Sequence, residues 1–244
     1  MKLLVEQNKL TQVKLEASKY LTHTLTDRQL CDIELILNGG FSPLTGFLNK
    51  SDYQCVLDSL RLSDGSVWPI PITLDVNKKL ADSISIGDNL SLKDKEGFLI
   101  AILNLESKWS PDKSEEAKKI FGTTDEKHPG VNFLLNKSNN WYLGGSLKGV
   151  VLPKHYDFLN LRQTPNKIKA NFTDLGWEKI VAFQTRNPMH RAHVEITKLA
   201  AQDVGGNLLI HPVVGMTKPG DVDHLPVLDV IKSLSKNIHL TVLC

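Results

Sequence analysis

The amino-acid sequence predicts an α/β protein of two domains, a β-rich amino-terminal domain over residues 1–156 and an α/β domain over residues 157–244. Short segments between residues 84 and 105 alternate apolar and polar side chains, as the strands of a small barrel or sandwich do. Further along, a β-branched run at 179–183 precedes a helical pattern and a second apolar run at 208–214. Strand, helix and strand in that order are typical of a βαβ unit with parallel strands.

The composition is that of an ordinary globular protein. There are 29 Lys and Arg residues against 27 Asp and Glu, a net charge of +2, and 41% of the residues are hydrophobic. This balance excludes a disordered chain and a polybasic nucleic-acid-binding arm. No apolar run approaches the ~18 residues of a membrane span, and Glu6 interrupts the segment that a signal peptide keeps apolar. Cys31, Cys55 and Cys244 lie far apart without a CxxC pair, which indicates a reduced, cytoplasmic protein rather than a disulfide framework or a zinc site.

Two helices are predicted in the amino-terminal domain. Thr26 and Gln29 have the spacing of a capping box, and apolar residues then recur at helical spacing up to Leu37. Asn38-Gly39-Gly40 ends this helix because Asn and Gly accept positive φ. The charged residues 111–119 predict a second, exposed helix.

The strands of this domain are predicted from apolar runs and alternation. They lie at 67–76, 84–86, 90–92, 98–105, 141–145 and 150–152. Pro69 and Pro71 confine the first of them to a sheet edge, since proline donates no backbone hydrogen bond. The last two are expected to close the β domain.

In the α/β domain the pattern predicts a strand over 179–183 and a helix that begins at Asn187. Asn187 is expected to be the N-cap and Pro188 the first helical residue, where no donor is lost. The helix is expected to run to Gly205-Gly206, followed by a strand over 208–214.

The segment from Gln184 to His193 carries the chemistry. Two arginines, two histidines, an amide and a hydroxyl fall within ten residues that contain no carboxylate. Ligands of open α/β sheets bind at the carboxyl ends of the strands, and a helix amino terminus attracts anions. His190 and His193 are three residues apart and share a helix face. The segment therefore predicts an anion site.

Other interpretations of these residues are weaker. A metal site at His190 and His193 lacks a third ligand nearby. Thr185 is a poor nucleophile without an adjacent base, so positioning and charge stabilisation suit it better. Lys218 in the following loop could reach a phosphate, although a turn at Pro219-Gly220 accounts for most of that loop.

The run Gln-Thr-Arg-Asn-Pro-Met-His-Arg-Ala-His at 184–193 resembles the signature loop of the ATP sulfurylase (sulfate adenylyltransferase) family. Its last four residues resemble the HxGH-type phosphate motif of the wider nucleotidyltransferase superfamily. Residues 30–47 resemble the amino-terminal domain of fungal members, and 144–145, 161–162 and 211–224 also fit. The resemblance implies an amino-terminal PUA-like β-barrel domain at 1–156, followed by a partial Rossmann-like nucleotidyltransferase α/β domain at 157–244.

The resemblance also implies a reaction, in which ATP and sulfate give adenylyl sulfate and pyrophosphate as the first step of sulfate assimilation toward cysteine and methionine. A sulfate oxygen attacks the α-phosphorus in line, with no covalent enzyme intermediate. The roles carried over are Gln184 and Arg186 for sulfate, Thr185 and Asn187 for the α-phosphate, and His190 and His193 for the β- and γ-phosphates and the leaving pyrophosphate. Thr185, Arg186 and Asn187 are the expected catalytic residues, and all six are expected to contact ATP.

The same resemblance implies that Mg²⁺ arrives with ATP, since the sequence shows no carboxylate cage for it. It also implies that the intact parent is a homo-oligomer.

Past residue 224 the sequence is expected to leave the family pattern. The family's Gly-Arg-Asp-His-Ala-Gly loop and its later Ile-Ser-Gly-Thr-type loop are not found. We expect residues 225–244 to be the product of a shifted reading frame in a longer gene. Taken literally, the chain is then carboxyl-terminally truncated, poorly stable and inactive or nearly so.

Two other functions stay open at this point. One is adenylyl transfer to another acceptor, and the other is a catalytically inactive nucleotide- or anion-binding fragment. Sulfate-dependent release of pyrophosphate distinguishes both from sulfate adenylyltransfer.

Overall fold

The computed structural model describes residues 3–156, 158–159, 161–213 and 239–240. It divides into two compact units, Met1–Pro153 and Lys154–Cys244. Among the described residues, no helix is long and apolar enough to cross a membrane.

The first unit combines a six-stranded sheet with short helices. Its strands are β1 (Leu21–Thr24), β2 (Gly46–Phe47), β3 (Leu74–Val76), β4 (Asn89–Lys93), β5 (Leu99–Trp109) and β6 (Trp141–Gly149). Its helices are α1 (Leu10–Ala17), α2 (Asp27–Leu37), α3 (Lys50–Ser59), α4 (Lys78–Ser83), α5 (Lys113–Phe121) and α6 (Pro129–Asn132), with a 3₁₀ turn at Gln7–Lys9 and a π-helical turn at Phe133–Lys137.

The strand order is β1-β4-β5-β6-β2, and β3 also pairs with β6. All pairs are antiparallel except β1 with β4. The pairings of the described strands do not run in a ring, so the predicted barrel is present as an open mixed sheet. One large apolar core lies against this sheet, and its members include Ile33, Leu74, Leu90, Leu103 and Leu143.

Helix α2 confirms the predicted capping box. The Thr26 hydroxyl accepts a hydrogen bond from the backbone N–H of Gln29, and the Gln29 side-chain oxygen accepts one from the Thr26 N–H. Ile33, Ile36 and Leu37 are buried, as the helical spacing predicts. The helix ends at Leu37 with Asn38 as its C-cap, and Gly39 follows with a φ of 85°.

The strand predicted over 67–76 is wrong for most of its length. Only β3 is a strand, because Pro69 and Pro71 offer no N–H to a neighbour. Residues 84–86 are also wrong as a strand. Ser85 and Asp88 close a turn there, with the Asp88 N–H bonded to the Ser85 carbonyl oxygen.

Other predicted elements of this unit are confirmed more closely. Strands β4, β5 and β6 match 90–92, 98–105 and 141–145, although 150–152 forms no strand. Helix α5 matches the charged segment 111–119. It is less exposed than predicted, because Glu116 and Ala117 are buried.

The second unit confirms the predicted βαβ order. It contains α7 (Pro165–Asp174), β7 (Ile180–Thr185), α8 (Arg191–Val204), β8 (Asn207–Pro212) and β9 (His239–Leu240). The sheet order is β7-β8-β9, and both pairs are parallel. A small core of Met189, Leu208 and Ile210 lies between this sheet and its helix, with Val194 of α8 packed against it.

Candidate active site

The loop at 186–190 joins the end of β7 to the start of α8. In the parallel register Gln184 is opposite His211 and Thr185 is opposite Pro212. The N–H of Val213 continues the pairing by donating to the Thr185 carbonyl oxygen at 2.9 Å. The loop therefore leaves the sheet at the carboxyl ends of both strands, where ligands of open α/β sheets bind.

The predicted start of the helix is wrong by one turn. Helix α8 begins at Arg191 with His190 as its N-cap, so Asn187 is not the cap and Pro188 is not the first helical residue. The Thr185 hydroxyl donates to the Asn187 carbonyl oxygen at 2.7 Å and accepts from the Asn187 N–H at 3.2 Å. These bonds form a tight turn in place of the expected cap. Met189, only 5% exposed, then anchors the chain in the small core before the helix begins.

The predicted site residues differ in exposure. Thr185 is buried and His193 is half-buried. The others are exposed, namely Gln184, Arg186, Asn187 and His190. The structure thus brings all six onto one strand end, one loop and the first turn of one helix.

The two histidines lie against each other. Their ring centroids are 3.8 Å apart with an interplanar angle of 29°, and the Phe183 ring lies 5.7 Å from that of His193. Nδ1 of His193 is buried without a hydrogen-bond partner among the described residues. A buried polar atom without a partner is costly, which makes this nitrogen a candidate contact for a ligand or a water molecule.

The first turn of α8 adds backbone donors. The His190 side chain makes no capping bond, and the first helical N–H to find a carbonyl is that of Val194, which bonds His190 at 3.2 Å. The N–H groups of Arg191, Ala192 and His193 have no acceptor within the described part of the chain. Such donors, together with the helix dipole, favour an anion.

His211 is the neighbour that the sequence pattern did not single out as a site residue. It pairs in register with Gln184, so the two side chains leave the sheet on the same face. Burial lowers the pKa of His211 from its usual range, which favours the neutral imidazole. The feature of the sequence that could have identified His211 is its position at the end of a predicted strand beside the predicted site.

No carboxylate lies within 184–193, and the first one along α8, Glu195, forms an ion pair with Lys198 at 3.5 Å. Within the described ranges no group of three or more His, Cys, Asp or Glu side chains could hold a metal ion. Lys218 and the rest of the second predicted loop up to His224 lie outside the described residues.

Two family models match the chain. A PUA-like domain matches residues 1–151, and an ATP-sulfurylase domain matches residues 159–242. Over 225 aligned residues, 91% of this chain, the sequence is 50% identical to a sulfate adenylyltransferase of Schizosaccharomyces pombe. The chain belongs to the ATP sulfurylase family.

Further relatives agree with this family. A sulfate adenylyltransferase of Saccharomyces cerevisiae is 51% identical over 86% of the chain, and one of Candida albicans is 50% identical over 95%. Among solved structures, the hexameric APS kinase from Thiobacillus denitrificans superposes on the whole chain with a TM-score of 0.78 and 31% identity. The chain covers 45% of that structure's chain.

The chain spans less than half the length of the curated relatives that it matches, 46% for the Schizosaccharomyces pombe protein. The ATP-sulfurylase match runs to residue 242, through the segment at 225–242 for which a departure from the family was expected. A family match through these residues argues against a shifted reading frame from residue 225 onward. Of this segment the structure describes only β9.

Proposed function

We propose that the chain supplies the ATP- and sulfate-binding loop of a sulfate adenylyltransferase, which converts ATP and sulfate to adenylyl sulfate and pyrophosphate. One observation carries the proposal. The carboxylate-free loop at 184–193 leaves parallel strand ends and enters α8 where backbone N–H groups are unused. Sulfate and a polyphosphate repel each other, so an enzyme that joins them must hold both with cations and N–H donors.

Sulfate is assigned to Gln184 and Arg186. Both are exposed at the end of β7, and the planar guanidinium of an arginine can place two N–H donors on one tetrahedral anion. The Gln184 amide offers a further neutral donor beside it. His211, opposite Gln184, borders the same position.

The α-phosphate is assigned to Thr185 and Asn187. In the conformation described, the Thr185 hydroxyl is engaged by the Asn187 backbone in both directions. The Thr185 hydroxyl therefore acts on the shape of the turn, which holds the Asn187 side chain exposed to solvent. The Asn187 amide is then free to donate to the equatorial oxygens on which negative charge builds up in the transition state.

The β- and γ-phosphates are assigned to His190, His193 and the first turn of α8. The buried Nδ1 of His193 is a donor or an acceptor according to its proton, and a phosphate oxygen would give it the partner that it lacks. The N–H groups of the first turn would share the charge of the leaving pyrophosphate.

The reaction needs no covalent enzyme intermediate. A sulfate oxygen forms a bond to the α-phosphorus while the bond from that phosphorus to the pyrophosphate oxygen breaks, and the electron pair leaves with pyrophosphate. The residues position the two substrates and stabilise the negative charge of the transition state, which are the main sources of rate acceleration in phosphoryl transfer. Mg²⁺ would enter bound to the ATP phosphates and neutralise part of their charge, because the described side chains form no cage for it.

We further propose that the three parallel strands with α8 are the beginning of a Rossmann-like sheet. A homo-oligomer is also proposed, supported by the hexameric state named for the solved relative. A cytoplasmic location stays a prediction from the sequence.

The test is pyrophosphate release from ATP by the 244-residue chain, with and without sulfate, together with calorimetric titration of ATP. We expect ATP to bind. Release is expected to be low in this 244-residue chain, to depend on sulfate, and to disappear in Arg186→Ala. The matched control is Arg61→Gln, which removes an exposed arginine of the first unit.

The other outcomes distinguish the remaining functions. Release that needs no sulfate would indicate another acceptor. Binding of ATP without release would indicate a nucleotide-binding fragment. No binding of ATP at all would contradict the assignment of the loop.

A further inference from the structure

A cavity in the first unit, remote in sequence from the loop at 184–193, is lined by groups suited to a ligand of its own. Its volume is about 280 Å³, near the lower end of ligand pockets, which suits a small metabolite rather than a nucleotide. Helices α2 and α5, strand β6 and the turn at Phe133–Lys137 contribute its walls. Most of the lining is apolar and includes Ile70, Ile120, Phe121 and Leu134.

One side of the cavity carries a buried carboxylate. Glu116 is 6% exposed, and its Oε2 accepts hydrogen bonds from the hydroxyls of Tyr53 and Tyr142, both at 3.0 Å. Within the described part of the chain no hydrogen bond reaches Oε1. Burial raises the pKa of Glu116, and the two hydroxyls, Arg28 and Lys113 oppose that rise. The carboxylate thus offers one unused oxygen to a hydrogen-bond donor in an apolar cavity.

The lining also carries a guanidinium. The Cζ of Arg28 lies 4.8 Å from the centre of the Phe133 ring, and its Nε forms an ion pair with Oδ2 of Asp32 at 3.8 Å, which is too long for a hydrogen bond. None of its N–H groups donates a hydrogen bond to another described residue. A guanidinium held against a ring with its donors unused is suited to bind a carboxylate.

We propose that this cavity binds an α-amino acid with an apolar side chain. The ammonium group of the ligand donates to Oε1 of Glu116, its carboxylate accepts from Arg28, and its side chain lies against the apolar walls. The Oε1 of Glu116 and the N–H groups of Arg28 make no hydrogen bond to another described residue. A zwitterion, which carries an ammonium group and a carboxylate, gives both of them a partner, whereas a ligand of a single charge reaches only one.

The test is calorimetric titration of the full chain with L-leucine and with its two half-molecules, isopentylamine and 4-methylpentanoate. L-leucine is expected to bind at concentrations up to roughly 10 mM, and each half-molecule about tenfold more weakly or worse. Arg28→Gln should weaken leucine and 4-methylpentanoate by about tenfold or more and leave isopentylamine unchanged. Glu116→Gln should weaken leucine and isopentylamine and spare 4-methylpentanoate. Arg61→Gln, an exposed arginine of the same unit, should bind leucine as the unaltered chain does.

Several results would overturn the proposal. One is that L-leucine, L-methionine and L-phenylalanine all fail to bind in this concentration range. Another is that the half-molecules bind as well as leucine does. A third is that Arg28→Gln binds leucine as tightly as the unaltered chain. Because Arg28 is partly exposed, this variant tests the proposal even if Glu116→Gln does not fold. The experiment does not depend on the proposed activity, since neither residue belongs to the loop at 184–193.

Discussion

The two units differ in the surroundings of their buried polar groups. In the first unit Glu116 receives two tyrosine hydroxyls, and Gln29 donates to both the backbone and the side chain of Asp75 at 2.8 and 2.9 Å. In the second unit Nδ1 of His193 is buried with no partner, beside a helix terminus whose first N–H groups are unused. Paired polar groups stabilise a fold, whereas unpaired ones at a strand end are available to a ligand. The first unit also buries three side-chain atoms without a hydrogen-bond partner among the described residues, Oδ2 of Asp32 and Nε1 of Trp68 and Trp109. What distinguishes the second unit is therefore the position of its unpaired atom, at a strand end beside unused backbone donors.

The largest expected effect tests where stability resides. Leu103 of β5 is fully buried, so Leu103→Ala should lower the free energy of unfolding by about 3 kcal/mol through lost burial and a cavity. Ile196 of α8 is 62% exposed, and Ile196→Ala should change it by less than about 0.5 kcal/mol. Urea unfolding of the full chain measures both. Equal losses would show that the core around β5 stabilises the chain no more than an exposed position of α8 does.

The next effect is a pH dependence of the stability of the first unit. Burial, partly opposed by Arg28, raises the pKa of Asp32 to about 6. The folded state therefore holds this proton more tightly than the unfolded state, and the contribution of Asp32 to stability is present at low pH and lost as the pH rises from about 4 to about 6. The loss of unfolding free energy is roughly 3 kcal/mol. Asp32→Asn should remove this slope in urea unfolding followed against pH, and an unchanged slope would assign it to another group.

A smaller effect is expected at the turn of the binding loop. Thr185→Val keeps the shape of the side chain but removes both hydrogen bonds to Asn187, so ATP affinity should fall about tenfold. Thr185→Ser keeps the hydroxyl and should restore most of it. Calorimetric titration of ATP into both variants measures these affinities. Wild-type affinity in Thr185→Val would show that the turn does not support the site.

The smallest effect concerns the paired carboxylate. Tyr142→Phe leaves Glu116 with only the Tyr53 hydroxyl and should cost about 1 kcal/mol of unfolding free energy. Tyr156 is 77% exposed, so Tyr156→Phe serves as the matched control and should cost nothing measurable. Thermal unfolding of the two variants gives the difference, and equal stabilities would show that this hydroxyl does not stabilise Glu116.

Local sequence signals predicted the elements that local contacts determine. The capping box of Thr26 and Gln29 placed the start of α2, and alternation placed β4 and β5. Helix α7 was missed although Thr164 caps it and Pro165 occupies its first position, the same signals that were read at Asn187 and Pro188.

The binding loop shows where such signals fail. Asn187 and Pro188 have the residue types of a helix start, but the Thr185 hydroxyl holds the Asn187 backbone and Met189 is drawn into the core, so the helix begins at Arg191. The contact between the His190 and His193 rings follows from their three-residue spacing across the start of α8. The burial of Nδ1 of His193 depends on packing against β7, which no pattern along the chain contains.

The most direct test of the account is the amide NMR spectrum of the 244-residue chain with ATP, and then with ATP and sulfate. We predict that ATP shifts the signals of Ala192 and His193 at the start of α8, and that sulfate adds shifts at Gln184 and Arg186. These sulfate shifts should be absent in Arg186→Ala. Shifts confined to the first unit, or no shift between 184 and 193, would contradict the assignment of this loop as the site that holds both anions.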